Sequence, residues 1–380
     1  MPVFRHSLLL LTLDYLVSAG VIAIYSYAIS SATRSLRSLR STPDAPLKRP
    51  VTVIVAAHNE RERIGGLIDS LSSSPVRPGL VVLVDDRSHD GTADVAMRAP
   101  GGIDLVVRRV DKVPRGWAPK ANALMAGALS APASSSALFL DVDVRGELGR
   151  LISVSSSLLP GWLAAFEPSF VCRAYFCRAV QPFFTAALHG FFGFNRALDP
   201  DDPHSLIYGC CWAIDPYTFW ELGGLSRVRS SLLEDREFAK YAKSRGVRLI
   251  AYDARPHLRV ESWASPREFL ELIKRISYGT SRSMRPTVFV LSSIGLSILL
   301  LWPLTWLPLL AMGAYAYAIG PLLSYVSQAS LALLGQRAEG LRGPWFLLSP
   351  LPAALLLAGF ILSRTSPIAW RDQVIDPAAI

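Results

Sequence analysis

Two apolar blocks frame this chain and restrict what it can fold into. Hydrophobic residues make up 51% of the 380 positions and charged residues only 18%, with the excess concentrated in Ser7–Ile29 and Thr287–Ser363. A helix crosses a hydrocarbon layer of about 30 Å with roughly 20 apolar residues, and both blocks reach that length. In lipid the backbone must satisfy its own polar groups, so the blocks are expected to be helical. Ser7–Ile29 follows Arg5 and His6 but exceeds the apolar core of a signal peptide, about 7–15 residues. It reads as an uncleaved anchor, with Asp14 expected near the outer interface where it reaches water. Thr287–Ser363 is expected to hold spans near Thr287–Trp302, Leu307–Val326 and Trp345–Ser363. Pro303 and Pro308 favour a tight hairpin there, and the more polar Gln328–Arg342 separates the last two. Two spans plus a re-entrant piece is the open alternative.

Arg34, Arg37, Arg40, Lys48 and Arg49 follow the first span. Basic residues beside a span mark the cytoplasmic side, so the middle of the chain is predicted to face the cytoplasm of a multi-pass cell-membrane protein. Anionic lipid headgroups in the bilayer suffice as the partner for a net charge of +9. No basic stretch interleaved with aromatics points to nucleic acid. Cys172, Cys177, Cys210 and Cys211 lack zinc-ligand spacing and are expected to be thiols, without a disulfide. Oligomeric state is not legible.

Between the blocks, Val51–Glu60, Leu80–Thr92 and Ala137–Val144 are short, rich in β-branched residues, and finish in polar groups. Ile64, Leu67, Ile68 and Leu71 recur at helical spacing within Glu60–Ser72, and a second helix begins near Asp90–Met97. This β-α-β order predicts an α/β fold with a parallel sheet. The block from Arg145 to Arg255 is less regular, and its six prolines predict short or interrupted helices. Leu158–Val171 and Val180–Phe194 are unusually apolar. The second fits either a helix lying flat in the lipid interface or a core helix.

Ligands bind beyond the carboxyl ends of strands in open α/β sheets, and each strand-like run ends there in candidate residues. Ala57, Asn59 and Glu60 close the first; Asn59 can meet a ribose or base edge, or simply cap the following helix. Asp85 and Asp86 close the second, where a plain turn also favours Asp. Lys120 and Asn122 open a later helix, and Lys120 supplies a cation for phosphates unless it is merely solvated. Asp141 and Asp143, one residue apart, suit a divalent cation that keeps room for substrate phosphates.

In this order the motifs resemble the family 2 glycosyltransferases of GT-A fold (Rossmann-like, nucleotide-diphospho-sugar transferase), from about Arg49 to Thr287. The chain is similar to membrane-anchored, lipid-acceptor members such as ceramide glucosyltransferase-like and polyprenyl-phosphate sugar synthase-like enzymes. The resemblance implies that Gly209, Cys210 and Trp212, in the run Tyr208–Ile214, belong to the acceptor side together with Glu234. It implies that Asp235 is the general base. A hydroxyl must lose its proton as it attacks, so such a base is a chemical requirement; Glu234-Asp235 also makes a good helix start. Processive relatives carry Q-x-x-R-W before their last spans. The nearest counterpart here holds Lys274, Arg275 and Tyr278, with Ser277 in the Arg slot, which puts polymer synthesis in doubt.

The implied reaction is an inverting transfer of a sugar from a nucleotide-sugar donor to a hydroxyl of a membrane lipid, with Mg2+ or Mn2+ held by Asp141 and Asp143. A polyprenyl-phosphate acceptor, a processive synthase and a catalytically silent scaffold are the competing readings. The expected organisation is an anchor at 7–29, a GT-A domain at 49–286 with donor half 50–144 and acceptor half 145–286, membrane helices at 287–363 and a tail at 364–380.

Overall fold

Val51–Ala57 and Leu80–Asp86 are nearly continuous apolar runs, and both are buried along almost their whole length, as parallel strands covered on both faces require. The computed structural model describes residues 2–98, 102–370 and 373–375. The chain opens with α1 (Pro2–Arg37) and β1 (Arg40–Ser41). Then β2 (Val51–Ala57), α2 (Arg61–Ser72), β3 (Leu80–Asp86), α3 (Thr92–Arg98), β4 (Leu105–Val110), α4 (Pro119–Ala128) and β5 (Ser136–Leu140) alternate. Next come β6 (Val144–Gly146), α5 (Gly149–Ser156), β7 (Trp162–Glu167), β8 (Ser169–Val171), α6 (Tyr175–Phe192) and α7 (Phe194–Ala197). They are followed by β9 (Cys211–Ile214), α8 (Pro216–Glu221), α9 (Glu234–Ser244), β10 (Arg248–Asp253) and β11 (Leu258–Glu261). Helices α10 (Pro266–Ser283), α11 (Pro286–Leu301), α12 (Trp306–Ala311), α13 (Tyr315–Ala338) and α14 (Pro350–Thr365) complete the main elements.

Two compact units result. Ser38–Val171 and Phe194–Glu261 build a sheet unit; the segment up to Arg37, Cys172–Gly193 and Ser262–Ile368 build a helical one. The sheet unit carries eight strands in the order β1-β10-β7-β9-β5-β2-β3-β4, and β6-β11-β8 form a smaller sheet. All pairs in the large sheet are parallel except those of β9, which runs antiparallel between β5 and β7. Its centre is aromatic: Phe139 of β5 stacks on Trp212 of β9 with ring centroids 4.0 Å apart, and Phe219 and Phe238 close around them.

In the helical unit α1, α6 and α13 pack on one another, and α14 packs on α10 and α11. Val21, Tyr25, Ala28 and Ala32 of α1 meet Phe183 and Ala186 of α6 and Leu331 and Ala332 of α13. Small residues let the backbones approach, as in membrane helix pairs. A Cβ on Gly190 would stand 2.9 Å from the Ala28 carbonyl oxygen, and one on Gly335 would overlap the carbonyl of Pro182. Among the described residues, four helices are long and apolar enough to cross a membrane: Leu8–Arg37, Pro286–Leu304, Tyr315–Ala338 and Trp345–Thr365.

Several expectations are corrected. The second C-terminal span does not stop near Val326 but runs through Gln328 and Gln336. Their polarity is absorbed internally: Gln328 donates to the Tyr25 hydroxyl (2.8 Å) and the Leu300 carbonyl (3.1 Å), and Gln336 donates to the Gly343 carbonyl (2.6 Å). Asp14 is buried against α13 near Gly320 rather than water-facing. Val180–Phe192 belongs to α6 of the helical unit, not to the sheet unit, and Gln181 and His189 of this helix are fully buried. That helix runs 18 residues with Pro182 inside it, longer than the proline count predicts. Cys172 and Cys177 form a disulfide, against the expectation of thiols alone. The turn from β8 into α6 brings their Cα atoms to 5.2 Å, within bridging range.

Truncating the aromatic centre tests the packing of the sheet unit. Phe139→Ala is expected to destabilise it by about 3–5 kcal/mol, read as a lower midpoint for protease resistance on heating, whereas Phe139→Leu should retain most of the stability.

Candidate active site

Strand register gathers the polar ends of the donor half. Ala57 pairs with Asp85 and Val55 with Leu140, so the residues following β2, β3 and β5 emerge at one edge. Strand β9 enters from the opposite direction with Cys211 beside Leu140, which puts Tyr208–Cys210 at the same edge. The Asp141 amide donates to the Cys210 carbonyl (3.0 Å) and fixes that junction.

The first two loops are tied together. Asn59 adopts the left-handed region (φ 52°), which Asn tolerates better than most residues. Its side-chain oxygen accepts from the His89 amide (2.9 Å), and its own amide donates to the Ser88 hydroxyl (3.1 Å). It does not cap α2; Glu60 holds that position, without a side-chain cap bond. Glu60 is itself buried, and its amide donates to the Thr92 hydroxyl (2.8 Å). Asp90 accepts from the Arg61 amide (2.9 Å), the Thr92 amide (3.0 Å) and the Thr92 hydroxyl (2.6 Å). Burial works against its charge, yet these bonds hold its carboxyl below the usual range. Asp85 accepts from the Ser88 amide (3.2 Å) and lies 3.4 Å from Arg109. Asp86 is fully buried and grips Arg87 through both oxygens (2.9 and 3.1 Å). Through this bond it shapes the loop that follows β3.

The donor and acceptor halves meet at Lys120. On the first turn of α4, its ammonium lies 2.8 Å from Asp141 Oδ1 and 3.3 Å from Glu234 Oε1 at the start of α9. Burial disfavours that charge, but Asp141, Glu234 and Asp235 outweigh it and hold Lys120 above its ordinary range. Burial pushes the Glu234 carboxyl up, against the pull of Lys120. Asp235 follows on the same turn, where the helix dipole favours acids. Gly209 is bare beneath it, since a Cβ there would overlap the Asp235 carboxylate. Asn122 sits half-buried on α4, two residues beyond Lys120, and Ala57 is buried at the end of β2.

The remaining acceptor-side candidates lie in two different surroundings. Trp212 is fully buried on Phe139, in the core rather than in the cleft. Lys274, Arg275 and Tyr278 lie on α10 in the helical unit, not in the unit holding Lys120 and Asp235. Lys274 pairs with Glu271 (2.8 Å), and the Arg282 guanidinium covers the Tyr278 ring (4.9 Å). One residue of the site region was missed. The Lys243 ammonium of α9 donates to the Ala197 (2.8 Å) and His204 (2.7 Å) carbonyls, pinning the segment that leads to Tyr208. A lysine on a helix carries no sequence signal of such a role.

Among the described residues, no set of three or more His, Cys, Asp or Glu is placed as a metal cage. Two aspartates suffice where phosphates and water complete the shell of a hard cation. The ammonium seated on Asp141 shows that this carboxylate is directed at a cation position. That carboxylate therefore has the donor chemistry that a Mg2+-like ion takes.

This sheet with its acidic parallel edge is a GT-A-like fold. It aligns over 95% of its length with all of a mannosyltransferase from Pyrobaculum calidifontis solved with GDP-Man and Mn2+, at a TM-score of 0.55 and 16% identity. Residues 52–145 match the family described as Glycosyl transferase family 2. A 4,4'-diaponeurosporenoate glycosyltransferase of Staphylococcus haemolyticus is 31% identical over 127 residues. That match covers 33% of this chain and 32% of the relative.

Cys210 and Cys211 offer a direct check on this edge. Burial, with Asp141 nearby, pushes the Cys210 thiol well above its ordinary range, and burial acts on Cys211 in the same direction. At pH 8 the native protein is expected to show no thiol reactive to Ellman's reagent. Denaturation should reveal the two free cysteines, and denaturation with reduction all four.

Proposed function

We propose that this chain is an inverting glycosyltransferase that moves a sugar from a nucleotide-sugar donor to a hydroxyl of a membrane lipid. The observation that carries the proposal is the Lys120 ammonium lying between Asp141 and Glu234. It ties the donor-side carboxylate to the helix that begins with Glu234 and Asp235. Asp141 and Asp143 would hold Mg2+ or Mn2+, which neutralises charge on a departing diphosphate; the Mn2+-bound mannosyltransferase of like fold supports that choice. Lys120 adds a fixed positive charge on the same side. Asp85 would accept from the base, and the Asn59–Thr92 loops would supply the wall behind it. Asp235, half-buried over Gly209, takes the proton of the attacking hydroxyl.

A lipid acceptor is supported by four helices able to cross a membrane in the same chain. Arg34 and Arg37 in the last turn of α1, with Arg40, Lys48 and Arg49 beyond, support a cytoplasmic sheet unit. The Cys172–Cys177 bridge weighs the other way, because reducing compartments keep thiols open.

The test is the full chain in detergent, incubated with labelled nucleotide-sugars and membrane lipid extract, with and without chelator. A labelled lipid that disappears with chelator supports the proposal; no product from any donor refutes it. Asp235→Asn is expected to cut turnover roughly 100- to 10,000-fold while leaving nucleotide affinity intact. Activity that survives in this variant with phosphate acceptors would instead identify an acceptor already ionised.

A further inference from the structure

Arg145 lies two residues beyond Asp143 and has no part in the chemistry above. Its guanidinium donates to the carbonyl oxygens of Val142 (2.7 Å), Val144 (2.7 Å) and Arg63 (2.8 Å). Val142 stands between the two aspartates, so the first bond grips the turn that carries them. The third fastens that turn to α2. Gly66, three residues further along α2, gives the guanidinium room: a Cβ there would stand 2.6 Å from Arg145 Nε and 2.9 Å from its Cζ. A planar fork fixes the directions of these three bonds; a lysine keeps the charge but loses that fixed geometry.

We infer that Arg145 is a positioning residue for the cation site, clamping the Asp141–Asp143 turn onto α2 through a seat that Gly66 leaves open. The inference rests on the reading of Asp141 and Asp143 as cation ligands. Groups behind a metal's direct ligands set their orientation, and losing one typically weakens metal binding about 10- to 100-fold. A purely structural arginine would behave differently. Its loss would lower the melting temperature but leave cation affinity unchanged in protein that remains folded.

The experiment measures Mn2+ binding to the full chain in detergent by electron paramagnetic resonance, well below the melting temperature, with UDP or GDP added or omitted. Arg145→Lys and Gly66→Ala are each expected to weaken Mn2+ binding about 10- to 100-fold. Gly66→Ala retains Arg145 but displaces it, so it decides the matter if Arg145→Lys does not fold. Wild-type affinity in both folded variants overturns the inference. Asp143→Asn separates the two readings: if it leaves Mn2+ affinity unchanged, the cation-ligand assignment itself fails. If it weakens binding while Arg145→Lys and Gly66→Ala do not, only the role of Arg145 falls.

Discussion

A single ammonium group makes the arrangement of acids at the sheet edge tenable. Asp141, at the end of β5, and Glu234 and Asp235, at the start of α9, crowd together in a partly buried place, where burial penalises the charge of Glu234. Lys120 lies 2.8 Å from one and 3.3 Å from another, and all three favour its charged form. Strand pairing sets the stage for this contact: β5 supplies Asp141, α4 supplies Lys120, and antiparallel β9 brings the Tyr208–Cys210 turn alongside.

The donor half was legible because its chemistry is local. Ile64, Leu67, Ile68 and Leu71 recur at helical spacing and all four face inward in α2. The strands β2, β3 and β5 that lead to Glu60, Asp86 and Asp141 are largely apolar runs, and parallel pairing turns their order in sequence into neighbourhood in space. What the residues did not disclose were contacts set by tertiary packing. Strand β4 alternates exposed and half-buried positions at the sheet margin, which is a weak signal. The antiparallel insertion of β9 depends on partners some 70 positions apart, as its pairing of Leu140 with Cys211 shows.

Residue type misled where burial reversed its usual meaning. Asp86 reads as a ligand-facing acid, yet Arg87 consumes it inside the fold. Trp212 reads as a cleft aromatic, yet it stacks on Phe139. Gln328 reads as the end of an apolar span, but its amide is taken up by the Tyr25 hydroxyl and a neighbouring helix carbonyl, so the helix continues. In each case the partner is remote in sequence, and polarity alone could not reveal it.

The two units are interleaved along the chain: Cys172–Gly193 of the helical unit separates β8 from β9. Because β9 bonds to both β5 and β7, the large sheet stays split until residues beyond α6 leave the ribosome. Nascent chains fold from the N-terminus as they emerge. The donor half can therefore form early, but the two halves of the sheet join only after α6 has been made.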